Sequence, residues 1–387
     1  MNTTTPTHSP SDADATVTAA IPNPEHILQI GFGFWASKTL LSAVELDLFS
    51  LLADTGMTAG QIAQAIGLHD RSRDDFLDAL VSLGLLARDG DGATARYRNT
   101  PDTALFLAKQ SPAYLGGMLE MANARLYGFW DGLTEALRTG QPQNEIKSGA
   151  PGLFEGVYSD PVKLEGFLNG MQGLQLGSFS ALCATLDLSR HHTFCDLGGA
   201  NGTLAAMIAK ANPHLRGVTF DLDPVTPIAQ ANLERHGVQD RVNAMNGDFF
   251  TDVYPSADVY FMGNILHDWS EAEKLALITK AHDALPDGGI LVVIENVIDN
   301  ERRANTFGLL MSLNMLIELP GGFDYTGAQF DRWARTAGFT RTEIRPLAGP
   351  TSAAIASGLG IRSFSGSSSL RKTRDTNAAS PASRIGE

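Results

Sequence analysis

Seven consecutive residues, Asp196-Leu197-Gly198-Gly199-Ala200-Asn201-Gly202, follow the apolar pair Phe194-Cys195 and precede a helical pattern that starts near Thr203. Glycines let such a turn take positive φ and let a ligand approach the backbone closely. The spacing is not GxGxxG, so the loop alone says only that a nucleotide-like ligand is a candidate. Two acidic positions sharpen it. Asp221 closes the next apolar run, Val218-Thr219-Phe220-Asp221-Leu222, about 20 residues past the loop, where a carboxylate can accept both ribose hydroxyls of an adenosine. The run after that leads into Gly247-Asp248-Phe249-Phe250, where an acid beside an aromatic ring could bond to and pack on adenine. Either acid alone could be a solvated turn carboxylate; the order of the three features argues for a site. Asp196, Gly198, Gly199, Asp221, Leu222, Gly247, Asp248 and Phe249 are therefore the cofactor candidates.

The charge of the ligand separates two cofactors. A dinucleotide presents a pyrophosphate to the loop and the helix N-terminus. S-adenosylmethionine presents no phosphate but an ammonium, a carboxylate and a sulfonium. Asp196, at the end of its strand, suits a cationic partner, which favours S-adenosylmethionine over NAD.

These residues need a scaffold that lines up strand ends. From His192 onward short apolar runs at 193–197, 217–221, 242–246, 257–262 and 289–295 alternate with helical stretches at 203–211, 224–236 and 271–285. Such alternation predicts a parallel sheet with helices on both faces, which binds ligands beyond the carboxyl ends of its strands. Upstream, residues 23–105 read as helix, turn, helix and then a hairpin at Asp89-Gly90-Asp91-Gly92, the order of a winged helix. Residues 106–185 continue helical and carry Met118, Met121, Phe129, Trp130, Phe167 and Met171, either ordinary helical core or the wall of a pocket for a flat organic ligand. The expected division is a disordered leader at 1–22, a winged-helix domain at 23–105, pocket helices at 106–185, a cofactor domain at 186–357 and a disordered tail at 358–387.

The bulk numbers exclude several classes. The 387 residues, 43% of them hydrophobic, suit two domains and a sizeable core. A formal charge of −14 argues against nucleic acid and anionic membrane as partners, since nothing offsets repulsion from phosphates. The presumed recognition helix carries Asp74, Asp75 and Asp78 against Arg71 and Arg73, so the winged helix reads as structural or dimerising rather than DNA-binding. Cys183 and Cys195 have neither metal-ligand nor disulfide-scaffold spacing and read as buried reduced thiols; no metal site is expected. No apolar run is read as long enough to span a membrane, and residues 1–20 lack the pattern of a secretion signal, so a cytoplasmic location is expected.

Taken together, the segments DLGGANG, FDLDPV, NGDFF, ILHDWSE and PGGFDYT resemble the class I S-adenosylmethionine-dependent O-methyltransferases that carry an N-terminal winged-helix dimerisation domain. That group includes plant caffeate enzymes, acetylserotonin methyltransferase, and bacterial polyketide and phenazine tailoring enzymes; the late PGGFDYT stretch is more similar to the bacterial branch. The resemblance covers about residues 25–357 and implies the fold class: an α/β Rossmann-like methyltransferase domain with a seven-stranded, mostly parallel sheet and an antiparallel last strand, preceded by a mostly α-helical winged-helix domain that forms a homodimer. It also implies that Gly198 lies under the methionine part of the cofactor, that Asp221 holds the ribose, and that Asp248 and Phe249 meet the adenine. Met171 resembles a residue lining both cofactor and acceptor. Gly263 stands where plant relatives have a cofactor-contacting Lys, so one contact is missing or replaced.

His267 occupies the position of the family's general base. The chemistry agrees: a phenol of pKa near 10 is a poor nucleophile at neutral pH, and a neutral imidazole within hydrogen-bond reach can take its proton. A lone His past a strand could otherwise be a capping or solvated residue. The resemblance implies that Glu295 and a second carboxylate in the GG loop, here Asp324, assist the base. Asp268 and Trp269 are read as structural. The acceptor, a flat aromatic hydroxyl compound of secondary metabolism, is expected against Met118, Met121, Asn123, Phe167, Asn314 and Met315. The rivals are C- or N-methylation or non-methylating chemistry on the same fold, and, from another class, a DNA-binding regulator with a small-molecule sensor domain.

Overall fold

The computed structural model describes residues 22–150 and 152–358, so the expected leader and tail lie, but for their inner ends, outside the described residues. Two compact units divide the chain: one holds residues up to Ser180 together with Leu313–Pro320, the other Ala181–Ser312 with the residues from Gly321 onward.

In the first unit, helices Ala59–Ile66 and Asp70–Ser82 precede a hairpin of β2 (Leu86–Asp89) and β3 (Arg96–Asn99), and β3 also pairs with the short β1 (Met57–Thr58). Thr58 caps the first helix by accepting from the Gln61 amide, while Gln61 Oε1 accepts from the Thr58 amide at 2.9 Å. Such reciprocal caps are worth about 1 kcal/mol each and fix where the helix starts. Leu48, Phe49, Ile62, Leu77, Leu80, Leu86 and Tyr97 close the small core. The order is the helix, turn, helix and hairpin expected from the sequence. A series of helices follows, ending in Pro161–Thr185.

At the N-terminal end, helices Glu25–Gly31 and Gly33–Glu45 together form a stretch of 21 residues with mean hydropathy 1.2, long and apolar enough to cross a membrane by length and composition. This corrects the expectation that no run reached that length. Gln29, Lys38 and interspersed Gly, Ser and Thr break the visible apolar run, while the summed hydropathy still qualifies. Ile27, Leu28, Ile30, Phe32, Phe34 and Trp35 on this stretch are all exposed within the chain.

The second unit is built on seven strands: β4 (Thr193–Leu197), β5 (Arg216–Asp221), β6 (Val242–Asn246), β7 (Val259–Gly263), β8 (Ile290–Glu295), β9 (Arg341–Pro346) and β10 (Ser352–Ser357). Their order is β6-β5-β4-β7-β8-β10-β9, parallel except for β10, which runs antiparallel to both neighbours. β8 reads Ile-Leu-Val-Val-Ile-Glu and is buried along its whole length, as a strand covered on both faces must be. Winding reverses at β4: β5 and β6 lie on one side, β7 and β8 on the other. The crevice beyond the carboxyl ends of β4 and β7 is therefore the topological switch point, where such sheets place ligands. The glycine loop leaves β4, and His267 follows β7.

Candidate active site

The loop is held by the strand beside it. The Gly198 amide donates to the Phe220 carbonyl at 2.8 Å. The Asp221 carboxylate accepts from the Ala200 amide at 2.8 Å and from the Leu222 amide at 2.7 Å, and the Gly247 amide reaches the Asp221 carbonyl at 2.9 Å. Gly199 has no room for a side chain: a Cβ there would overlap Thr219 Oγ1 and lie 2.9 Å from Asp196 Oδ2. The sequence candidates on β4, β5 and the turn after β6 are thus joined in one network.

Two buried acids give this network its charge. Burial, reinforced by the neighbouring Asp221, pushes the Asp196 carboxyl up to about 8. Burial raises Asp221 to about 6 against the two amides that stabilise its ionised form. Asp196 Oδ2 is buried without a hydrogen-bond partner. Groups that ionise reluctantly in the free protein favour a ligand that brings positive charge and hydroxyl donors. Asp248 divides its role: its Oδ1 accepts from the Phe250 amide at 2.8 Å, so part of the carboxylate does serve a turn. Phe249 packs edge-on to Trp269, with ring centroids 6.0 Å apart. Gly263 closes β7 and is half-buried.

Past β7 the chain bends at Asn264, which takes a left-handed φ of 51°, and enters the single turn Leu266–Asp268. The next helix, Glu271–Ala284, is fixed by Ser270 and Glu273, which cap each other's amides. His267 lies between these anchors and is 5% exposed. Its amide donates to Glu295 Oε1 at 3.0 Å. Asp324 Oδ1 lies 3.5 Å from the ring Nδ1, and Asp268 Oδ1 lies 3.4 Å from Nε2. The Phe323 amide donates to the His267 carbonyl at 2.8 Å, and the Asp324 amide to Ser312 Oγ at 3.1 Å, which pins the GG loop against the histidine. Gly322 is needed for that approach, since a Cβ would meet the His267 carbonyl oxygen at 2.9 Å. Burial opposes a charged imidazole, but the carboxylates of Asp268, Asp324 and Glu295 outweigh it and hold His267 well above its ordinary pKa.

In the first unit a cavity of about 1060 Å³ is lined by Tyr114, Met121, Arg125, Phe167 and Gln172 among others. Two sequence candidates, Met121 and Phe167, line it; Met118, Asn123, Met171, Asn314 and Met315 are not among its lining residues. Asn123 is engaged by Lys38 Nζ at 2.5 Å and by Glu45 at 2.6 Å, and Asn314 accepts from the Trp130 indole at 2.9 Å. Arg125 is spent on Glu145 at 2.6 Å and on the buried Glu318 at 3.1 Å.

The O-methyltransferase domain family matches residues 130–340, and the O-methyltransferase dimerisation domain family matches residues 28–109. The chain belongs to the S-adenosylmethionine-dependent O-methyltransferase family. It is 42% identical over 332 residues to the tetracenomycin polyketide synthesis 8-O-methyl transferase TcmO of Streptomyces glaucescens, covering 86% of this chain and 96% of that one. It is 36% identical to the N,N-dimethyltransferase OxyT of Streptomyces rimosus, over 73% of this chain and 80% of the relative. Among solved structures, human N-acetylserotonin methyltransferase in complex with S-adenosylmethionine superposes with a TM-score of 0.81 at 28% identity, covering 88% of this chain and 99% of that chain. S-adenosylmethionine is the family's methyl donor.

Within this O-methyltransferase the geometry redistributes the acidic residues. Glu295 touches the histidine through its backbone, and Asp324 is the carboxylate at Nδ1. Asp268, set aside as structural, faces Nε2. Lys274 was missed, though the sequence carried a signal: it occupies the buried stripe of its helix with Leu277, Ile278 and Ala281.

Proposed function

We propose that this O-methyltransferase methylates a hydroxyl of an aromatic small molecule of polyketide type, with His267 as the general base. The cofactor loop fits the donor: buried Asp196 with its unpartnered oxygen and Asp221 supply negative charge and acceptors, and Gly199 lets the loop pack closely on β5. Asp196, Gly198, Gly199, Asp221, Leu222, Gly247, Asp248, Phe249 and Gly263 would hold S-adenosylmethionine. When bound, that cofactor supplies an electrophilic methyl group.

The chain's own residues handle the proton. Asp324, at Nδ1, favours the tautomer with its proton on that atom, so that Nε2, which also faces Asp268 at 3.4 Å, would receive the acceptor's proton. Glu295 fixes the backbone that carries the ring. With the cofactor bound, these residues would hold the acceptor oxygen in line with its methyl group at about 3–3.5 Å, and such positioning would supply much of the rate. One observation carries this reading: a buried histidine with a carboxylate at Nδ1 stands at the switch point beside a loop with two buried acids. Substituting Ala for His267 should lower kcat by a factor of about 10²–10⁴ while calorimetric cofactor binding persists. Unchanged turnover would sink the base assignment.

Likeness to TcmO supports the aromatic polyketide acceptor, with Met118, Met121, Phe167 and Met315 as apolar contacts. Because Asn123 and Asn314 are already bonded inside the first unit, we give them a shaping role. Likeness to OxyT favours a second reading, an amine acceptor, and product mass spectra after incubation with matched phenol and aniline acceptors separate the two. We further propose a cytoplasmic homodimer joined through the N-terminal helices, without nucleic-acid or membrane partners. On helix Asp70–Ser82, Arg73 is paired with Asp70 and Asp74, and Asp78 holds Arg88 of β2, so the acidic residues of the helix outnumber its basic ones, Arg71 and Arg73.

A further inference from the structure

Lys274 is fully buried in the second turn of helix Glu271–Ala284. A cation near a helix N-terminus opposes the helix dipole, and a buried ammonium loses its hydration. A residue chosen for packing alone would not be lysine. Its ammonium donates to the Trp269 carbonyl and lies 3.6 Å from the centroid of the Phe323 ring. Trp269 follows Asp268 in the chain, and Phe323 precedes Asp324, so the ammonium touches both segments that flank the His267 ring.

Three carboxylates face this site: Glu295 from β8, Asp324 from the GG loop and Asp268 from the turn after β7, with Glu273 on the lysine's own helix. The same three surround His267. The remaining groups nearby are accounted for. Tyr325 faces Glu295 and Asp324, and Glu271 is held by Arg332 at 3.1 Å and by the Trp333 indole at 2.7 Å. The carboxylates around the histidine thus also act on the buried ammonium, which packs against the segments that carry two of them.

We infer that Lys274 is the positioning counter-charge that sets the pH range in which the His267 cluster works. The inference rests on His267 being the base. A group of carboxylates without a cation would take up protons more readily, and so would the imidazole beside them. Removing one positive charge raises every protonation step of such a coupled cluster, whichever residue holds the proton. Lys274 thus works against protonation of the cluster and lets the histidine give up its proton at lower pH. Burial works against the ammonium's own charge, while the surrounding carboxylates favour it.

The test compares K274M with K274Q, which keeps a donor for the Trp269 carbonyl but no charge. The kcat–pH profile is measured with any accepted phenol, and the His267 signal is titrated by NMR in cofactor-free protein, assigned by its loss in H267N. Both variants should move the acid limb and the imidazole titration to higher pH by about one unit, roughly a tenfold lower kcat on that limb. A uniform loss of rate with an unmoved limb and an unmoved imidazole titration, or a shift toward acid, overturns the inference. H267A is run alongside: full turnover in that variant refutes the base assignment itself, whereas a dead H267A with an unshifted K274Q refutes only the role of Lys274. If K274M fails to fold, K274Q and the NMR titration decide.

Discussion

An imidazole with a carboxylate beside each nitrogen is a strong base that holds its proton tightly. His267 is in that state, with Asp324 at Nδ1 and Asp268 at Nε2. A base pKa raised above the ordinary histidine value makes kcat climb with pH through that raised value. Asp324→Asn removes a negative charge from Nδ1, so the imidazole pKa falls and the acid limb moves to lower pH. The plateau should also fall, by about 10-fold or more, because the ring loses its orienting partner. A kcat–pH profile reads both effects, and an unmoved limb would assign the orienting role elsewhere. The cofactor loop makes a second claim at this scale. Asp196 near 8 and Asp221 near 6 are raised above the unfolded value, so each is partly protonated in the free fold near neutrality. A cationic ligand favours their ionised forms. Binding of S-adenosylmethionine should therefore release protons, and affinity should rise between about pH 6 and pH 8. Calorimetry in buffers of different ionisation enthalpy measures the release, and Asp196→Asn should diminish it. Without ligand the same raised values cost stability as pH rises from the unfolded carboxylate value of 3.8 toward about 6 for Asp221 and about 8 for Asp196, which the cofactor should restore.

Elements decide whether these residues can meet. Gly199 stands where loop and β5 touch, and a Cβ there overlaps Thr219 Oγ1, which is buried and unpartnered. Gly199→Ala should abolish cofactor binding or weaken it by more than tenfold, and Thr219→Ala in the same chain should restore part of it by removing the obstructing oxygen. Cofactor titration followed by tryptophan fluorescence or calorimetry checks the pair; failure of the second substitution to help would mean that the loop backbone itself has shifted. Much of this element-level arrangement was legible beforehand. β4 to β8 fall within two residues of the expected runs, because buried β-branched stretches such as Ile290–Glu295 carry a plain signal. β9 and β10 were implied only by the family resemblance. β9 is a largely exposed edge written Arg-Thr-Glu-Ile-Arg-Pro, and β10 is buried but built of Ser and Ala, so neither shows the usual strand composition. The same limit hid the division of labour among Glu295, Asp324 and Asp268. Spacing along a chain names the acids near a histidine, but which one meets a ring nitrogen and which a backbone amide depends on how the GG loop closes on the His267 carbonyl.

At the scale of the whole molecule the N-terminal helices pose the question of what covers them. Ile27 is 72% exposed, Ile30 68% and Trp35 60%, with Leu28, Phe32 and Phe34 beside them. Burying a large apolar side chain gains about 1.5–3 kcal/mol, so six of them offer roughly 10 kcal/mol, of the order of the cost of joining two molecules. Two covers could provide it: a second copy of this chain, or a lipid bilayer, which Glu25–Glu45 is long enough to enter. The charge of −14 weighs against an anionic bilayer, and the match of residues 28–109 to a dimerisation domain favours the second copy. Light scattering after size exclusion should therefore give twice the mass of one 387-residue chain at micromolar concentration. The double substitution Ile30→Asp with Trp35→Glu should shift it to a monomer with lowered thermal stability, while the isolated cofactor site, read by the proton release argued above, stays intact in any protein that remains folded. A wild-type monomer that floats with anionic vesicles would reverse the assignment of this face.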